Sequence, residues 1–286
     1  MANFGIIDLH MHSTVSDGSD TPSELLQHVR EAGLCLFALT DHDAVKGVLE
    51  MRSLLVSTDP HFIDGIEFSC RDDLGRYHIL GYHYNPCAEP IRSLVDKTHR
   101  MRMEKATVRL DFLRQKFGFS FSDGEIRKLL NLDNPGKPHI ANLMVKHGYA
   151  KNRQQAIREY IDSLRFKTEY IPPEEAIQSI LAAGGIPVLA HPCFGDGYQL
   201  VVGNDMENRL KRLMDFGLMG VEAFYSGFSP EMRDEMLALA ERFSLYVTAG
   251  SDYHGTNKLV KLGETGLNSA LPLPYGMKRF LECVEA

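Results

Sequence analysis

His10 and His12 are separated by one residue at the end of a short apolar run, and the two-residue period of a strand points both imidazoles the same way. Two parallel imidazoles are half of a divalent-metal site. Alone, such a pair is equally well explained by packed histidines. The same placement repeats along the chain, however, with Asp17, His42, Glu67, His78, His191, Asp252 and His254 each close to the end of an apolar run. That repetition, more than any single pair, points to a metal centre. The five cysteines are scattered with no C-x-x-C pair, so neither a thiolate zinc site nor a disulfide framework is encoded. There is no G-x-S-x-G elbow and no P-loop, which leaves serine hydrolysis and nucleotide-triphosphate hydrolysis without support.

The runs that carry these residues are short and rich in Ile, Val, Leu and Phe, as expected for buried parallel strands. They predict seven strands at about 4–10, 34–40, 62–68, 77–83, 186–191, 220–225 and 245–251, the sixth carrying Glu222. Helical patterns separate most of them. Thr21-Pro22-Ser23-Glu24 is a capping box with proline at the first helical position, and it opens a helix that closes at Gly33. Further helices are expected at about 44–56, 173–183, 205–216, 230–243 and 276–284. Between Ile66 and Tyr84 no helix intervenes. A hairpin turning near Asp72 and Asp73 would bring Glu67 and His78 together. Strand alternating with helix implies an α/β fold with a covered sheet. A closed barrel is favoured over an open doubly wound sheet. Barrels gather their chemistry at the C-terminal strand ends, and no glycine-rich phosphate turn follows the first strand.

Residues 91–170 break this rhythm with nearly unbroken helical pattern: one long helix over 91–116, a second capping box at Ser122 and Glu125, and helices at about 138–148 and 154–164. The expected organisation is a barrel built from residues 1–90 and 171–286, with an all-helical cap over 91–170. Charge divides along the same line. The 286-residue chain carries a net −7, yet residues 91–170 hold 17 Lys+Arg against 9 Asp+Glu, and the remainder 14 against 29. An acidic body suited to cations and a basic insert suited to an anion is an economical account of that asymmetry. With 44% hydrophobic and 24% charged residues the composition is that of a soluble globular protein with a proper core. No apolar run approaches the ~18–20 residues of a membrane span, and the N-terminal residues lack a signal-peptide pattern, so a cytoplasmic location is expected.

The phrases Asp8-Leu-His-Met-His-Ser, Ser16-Asp-Gly, Thr40-Asp-His-Asp, Gly65-Ile-Glu, His78-Ile-Leu-Gly, Ala190-His-Pro and Gly250-Ser-Asp-Tyr-His, in this order, closely resemble the PHP (polymerase and histidinol phosphatase) family. The match is to its small stand-alone phosphoesterase branch, in which a helical cap interrupts the barrel. The resemblance implies a distorted seven-stranded barrel and a trinuclear metal centre. His10, His12, Glu67 and Asp252 would hold the first ion. Glu67, His78 and His191 would hold the second with Glu67 bridging, and Asp17, His42 and His254 the third. Glu67, His191, Asp252 and His254 are read as catalytic. Nitrogen and oxygen ligands suit three divalent ions of Mn, Fe or Zn. Lys137-Pro-His139 resembles an Arg-Pro-His segment of the branch that reaches from cap to substrate, with Lys for Arg as a departure that loses bidentate phosphate contact. Arg100, Arg102, Lys105 and Arg109 share the long cap helix, and one or two of them, with Arg100 and Arg102 first, are expected at the substrate. Tyr225 and Ser226 are expected to line the pocket, and Asp41 or Asp43 to orient an imidazole. The remaining histidines, His28, His61, His83, His99 and His147, are expected outside the site.

The expected activity is metal-dependent hydrolysis of small phosphate esters: nucleoside 3′,5′-bisphosphates or monophosphates, sugar phosphates, or a small cyclic phosphodiester. Clustered cations suit a group whose charge is spread over several oxygens, and a hydroxide bridging two of them is available near neutral pH. The alternatives are an exonuclease on short single-stranded oligonucleotides and an amidohydrolase-type C–N hydrolase. The latter usually bridges its ions with a carbamylated lysine, and no strand end here offers one. A non-catalytic module would be expected to lose ligands, and this chain keeps the set. No membrane or protein partner is evident, and small anions fit the charge pattern better than long duplexes.

Overall fold

The computed structural model describes residues 5–166, 169–194, 200–268 and 270–285. Seven strands form one sheet in chain order: β1 (Ile6–Asp8), β2 (Leu34–Leu39), β3 (His61–Asp72), β4 (Gly75–Tyr82), β5 (Ile186–Leu189), β6 (Gly220–Tyr225) and β7 (Tyr246–Gly250). β4 runs antiparallel to both of its neighbours, and all other neighbouring pairs are parallel. The sheet's two outer strands meet just beyond their ends. Leu9 donates its backbone N–H to the Ala249 carbonyl, Asp252 to that of His10 and His12 to that of Tyr253, each at 2.8 Å. These bonds bring the two ends of the seven-strand order to one place, and His10, His12 and Asp252 with them.

Local sequence accounts for most of these elements. Helix α1 (Pro22–Glu31) opens on Thr21, whose hydroxyl accepts from the Glu24 N–H while the Glu24 carboxylate accepts from the Thr21 N–H. Leu25, Leu26 and Val29 form its buried stripe, and Gly33, at φ 68°, ends it. Helix α2 (Lys46–Leu54) follows β2. The β3–β4 pair is a hairpin in which Asp72 opposes Gly75, and the Asp72 carboxylate accepts the Leu74 N–H across the tip. In its register Glu67 opposes Leu80 and His78 opposes Ser69, so Glu67 and His78 are diagonal neighbours on one face.

Between β4 and β5 the chain is helical: α3 (Glu89–Phe117), α4 (Asp123–Leu130), α5 (Lys137–Lys146) and the short α6 (Arg153–Gln155). Ser122 and Glu125 form the expected capping box. The helix expected at 154–164 is not a regular one. After α6 the chain widens into a π turn over Ala156–Tyr160 and then tightens into a 3-10 turn over Ile161–Ser163. The wider turn puts Ala156 and Ile161, five residues apart, into the same core. That core, with Ala106, Leu110, Leu113, Ile140 and Met144, is separate from the one around the sheet, while Ile91 and Leu94 at the start of α3 belong to the latter.

Polar contacts also tie the insertion to the sheet. Lys46 meets Asp133 at 2.8 Å, Lys97 meets Glu175 at 2.7 Å, and Arg153 donates to Asn257. Helices α7 (Pro173–Ala182), α8 (Gly203–Asp215), α9 (Pro230–Arg242) and α10 (Tyr275–Val284) complete the cover. Among the described residues no helix is long and apolar enough to cross a membrane.

Candidate metal centre

Five imidazoles converge on one carboxylate. Glu67, 1% exposed, places Oε2 3.2 Å from His10 Nε2, 3.1 Å from His12 Nε2 and 3.1 Å from His42 Nδ1. Its Oε1 lies 2.8 Å from His78 Nδ1 and 3.3 Å from His191 Nε2. Asp252 Oδ1 sits 3.3 Å from His12 Nε2 and 3.6 Å from His10 Nε2. Asp17 Oδ1 faces His254 Nε2 at 3.2 Å, His12 Nδ1 at 3.9 Å and His42 Nε2 at 4.0 Å. All nine residues singled out as ligands thus fall in one cluster. His42 is shared, with one ring nitrogen toward Glu67 and the other toward Asp17.

The cluster does not behave as an ordinary hydrogen-bonded network. Among the described residues eight buried side-chain N and O atoms lack a hydrogen-bond partner, and five of them are His10 Nε2, His12 Nε2, Asp17 Oδ1, His42 Nδ1 and Glu67 Oε2. Buried polar atoms are normally satisfied, so orphans that point at one another need something between them. Ligand atoms about 2.1 Å from a shared ion stand roughly 3.0–3.4 Å apart, and four of the five Glu67 contacts, at 3.1–3.3 Å, fall in that range. The donor set fits divalent ions.

Other groups aim these atoms. Glu222, fully buried in β6, accepts from His10 Nδ1 at 2.9 Å and from the His191 backbone N–H at 2.7 Å. This fixes the His10 tautomer and turns Nε2 toward Glu67. His254 Nδ1 donates to the Asp252 carbonyl at 2.8 Å, leaving Nε2 for Asp17. Gly250 lies so close that a Cβ there would sit 2.2 Å from both Glu222 Oε1 and His10 Cβ. His191 (φ 27°) and Asp252 (φ 58°) hold left-handed backbone conformations that side chains disfavour, a strain typical of functional sites and fixed here by the bonds from their N–H groups to Glu222 and His10.

The electrostatics agree with a site of mutually dependent charges. Burial opposes ionisation of Glu67, but the His42, His10 and His78 imidazoles hold its pKa well below the usual carboxylate value. Burial likewise opposes a charge on His10, yet Glu222, Glu67 and Asp252 raise its pKa well above the ordinary imidazole value.

A cleft of about 250 Å³ opens beside Asp17, His42 and His78, and its opposite wall is formed by the insertion, with Arg102, Lys105, Arg109, Asn134 and His139. A sequence comparison matches residues 8–171 to the PHP domain. The chain belongs to the PHP family. A phosphoribosyl 1,2-cyclic phosphate 1,2-diphosphodiesterase of Eggerthella lenta is 31% identical to this PHP chain over 87% of its length and 94% of the relative. A 3′,5′-nucleoside bisphosphate phosphatase of Chromobacterium violaceum is 29% identical over 89% and 88%. A 5′-3′ exoribonuclease of Haemophilus influenzae is 28% identical over 90% and 93%. Among solved structures, a chain from Bifidobacterium adolescentis provisionally described as a metal-dependent phosphoesterase superposes with a TM-score of 0.83 at 27% identity, covering 97% of this chain and 96% of that one. A chain from Chromobacterium violaceum described as an amidohydrolase, with bound sulfate and no metal, gives 0.80 at 26% identity, covering 98% and 96%.

The side chains expected around the rest of this PHP site fall in different places. Arg100 is exposed and does not line the cleft, because the helical turn that aims Arg102 inward aims its neighbour two residues earlier to solvent. Lys137 lines the cleft, but its amine is engaged by Asp162 of the insertion itself. His139 lines it near Asp17 and accepts the Gly136 N–H at Nδ1, and burial lowers its pKa. Arg102 faces the cleft, bound to Asp43 and Ser69. Tyr225 reaches the cluster by donating to Asp252 Oδ2 at 3.0 Å, whereas the Ser226 hydroxyl is committed to the Ser251 carbonyl at 2.8 Å.

Neither Asp41 nor Asp43 bonds the His42 ring. Asp41 accepts from Ser13 and Ser16 and so pins the turn that carries Asp17, while Asp43 takes Arg102 and the Ser69 N–H. Of the histidines expected outside, His28, His99 and His147 bond Asp20, the Asp133 carbonyl and Glu125.

Three neighbours of the cluster were given no role from sequence, although Glu222 was noted on the sixth strand. Glu222 carried a signal, an acid in the middle of an apolar strand. Asp8, buried under His10 and accepting from the Ser251 and Gly263 N–H groups, sits in the first quoted motif. Lys258, whose amine donates to Asp252, had none, because only the turn after β7 folds it back. Replacing Glu222 with Gln is expected to weaken metal affinity about 10–100-fold, the usual cost of losing a carboxylate behind a ligating histidine. Competition against a chelator of known affinity measures this, and an unchanged constant would remove Glu222 from the role of aiming His10.

Proposed function

We propose that this chain hydrolyses phosphate esters of small nucleotides or sugar phosphates, with nucleoside bisphosphates, monophosphates and small cyclic phosphodiesters as the candidate substrates. The coarser class follows from the family: the chain is a metal-dependent phosphoric ester hydrolase. The finer reading is supported above all by one observation: Asp17, His42 and His78 of the ligand cluster line one cleft of about 250 Å³ together with Arg102, Lys105 and Arg109. That volume suits a small ligand.

In this reading three divalent ions, Mn, Fe or Zn, would be held by His10, His12, Glu67 and Asp252, by Glu67, His78 and His191, and by Asp17, His42 and His254. Bound there, such ions supply charge neutralisation for phosphate oxygens and a water acidic enough to react near neutral pH. The chain's own contribution is placement. Glu67 spaces the sites, Glu222 and the Asp252 carbonyl fix the imidazole tautomers, and Arg102 offers a guanidinium held in place by Asp43. His139, its pKa lowered by burial, lines the cleft near Asp17 and is oriented by the Gly136 N–H bonded to its Nδ1.

One structural relative is described as an amidohydrolase, so C–N hydrolysis is the reading to test against. Glu67, a carboxylate, occupies the place between imidazoles that a carbamylated lysine takes in such enzymes, and Lys258 touches only the edge of the cluster through Asp252. A cytoplasmic location belongs to the same proposal and is supported by the five unpaired cysteines. A panel of nucleoside bisphosphates, monophosphates, cyclic phosphates, short oligonucleotides and cyclic amides, assayed with Mn²⁺-loaded protein, decides the matter. Phosphate-ester cleavage is expected. Hydrolysis confined to amides would overturn the proposal.

A further inference from the structure

At the end of the cleft away from the ligand cluster, three cations have no anion among the described residues. Arg109 is only 8% exposed, lines the cleft, and has the Phe166 ring as its recorded neighbour, 5.8 Å away. Among the described residues nothing accepts a hydrogen bond from its guanidinium. Lys105, one helical turn earlier on the same face of α3, sets Nζ 3.6 Å from the centre of the Tyr170 ring, and Arg76 approaches that ring from β4 at 5.8 Å. The acids whose charge reaches these groups are taken: Asp43 is bound by Arg102, and Asp162 by Lys137.

A buried guanidinium without acceptors is costly, and two further like charges beside it add to the cost. The strain is visible at Lys105, where burial and the Arg102, Arg109 and Arg76 charges, opposed by Asp43, bring the pKa down to about 8. An anion seated among the three would relieve all of it. Arg76 and His78 lie two apart on β4 and share a face, so this end begins roughly 6–7 Å from the ligand cluster. That is about the reach of one pentose ring between two ester oxygens.

We propose that Arg76, Lys105 and Arg109 form a subsite for a second phosphate of the substrate, one pentose away from the phosphate that is hydrolysed. The inference rests on the proposed function. The second phosphate belongs either to a nucleoside bisphosphate or to the next position of a short oligonucleotide.

The test is calorimetric titration of the metal-loaded protein with a non-hydrolysable 3′,5′-bisphosphonate analogue of adenosine and with the corresponding monophosphonate. Wild type is expected to prefer the bisphosphonate. Arg109→Gln and Lys105→Gln are each expected to reduce that preference about tenfold or more, the worth of a charge-assisted contact. Should Arg109→Gln fail to fold, Lys105→Gln and Arg76→Gln, at less buried positions, carry the same comparison. Equal loss for both ligands, or no preference in wild type, overturns the subsite. A diadenylate bearing a 5′-phosphonate separates the sources: tighter binding than the bisphosphonate assigns the subsite to an oligonucleotide, weaker binding to a nucleoside bisphosphate. If the bisphosphonate binds through these residues but no phosphate ester is cleaved, the subsite stands and the proposed function falls. If nucleotides are cleaved with no preference and no effect of the variants, the reverse holds.

Discussion

Glu67→Gln is expected to lower turnover at least about a hundredfold while substrate affinity changes only severalfold. The side chains are nearly equal in shape, so the fold should survive, and what is lost is the charge that five imidazoles surround at 2.8–3.3 Å. Removing a carboxylate that merely aims a ligand already costs about 10–100-fold, and Glu67 touches the ligands themselves. A carboxylate that spaces two ions acts on the reacting phosphate and little on the rest of the substrate, which places the effect in kcat rather than KM. The measurement is steady-state kinetics at saturating Mn²⁺ with metal content determined on the same sample. Near-normal turnover at full occupancy would disprove the bridging role.

Stripping metal should abolish activity and lower the melting temperature by about 5–10 °C, with both restored by Mn²⁺. Without ions the buried carboxylates of Asp17, Glu67 and Asp252 share a small volume with orphaned imidazole nitrogens. A ligand present at a hundred times its dissociation constant contributes about 2.7 kcal/mol, and each kcal/mol is worth roughly 2–4 °C in a chain of this size. Elemental analysis of protein purified without chelator is expected to give about three ions per chain. At most one ion, with no gain on adding Mn²⁺, would reduce the proposal to a mononuclear site.

The cluster was legible in the sequence because its residues announce themselves locally. His10 and His12 share a face through the strand period, Glu67 and His78 through a hairpin whose Asp72-Asp73-Leu74-Gly75 turn is written in the chain, and the others fall at the ends of apolar runs. The long insertion was legible for the same reason, as helical periodicity punctuated by the Ser122–Glu125 capping box and by glycine stops such as Gly118 and Gly148. Where side-chain pairing decides the outcome, the sequence was silent. Lys137 sits beside Pro138 and His139 as a substrate contact would, yet Asp162, 25 residues away, binds it. Arg100 and Arg102 are indistinguishable by type and spacing, and only the rotation of α3 against Asp43 separates them.

Sequence alone therefore determined the α/β rhythm, the position of the helical insertion, the nine clustered ligand-type residues and the sign of charge on each part, because periodicity, capping and residue chemistry are properties of neighbours along the chain. Tertiary structure alone decided which charges are spent and which are free. Asp43 and Asp162 neutralise Arg102 and Lys137, Glu222 turns His10 toward Glu67, and Arg109 is buried facing the cleft with no acceptor among the described residues. Coulombic and hydrogen-bond partners are chosen by distance in space, and partners such as His10 and Glu222 stand 212 residues apart in the chain.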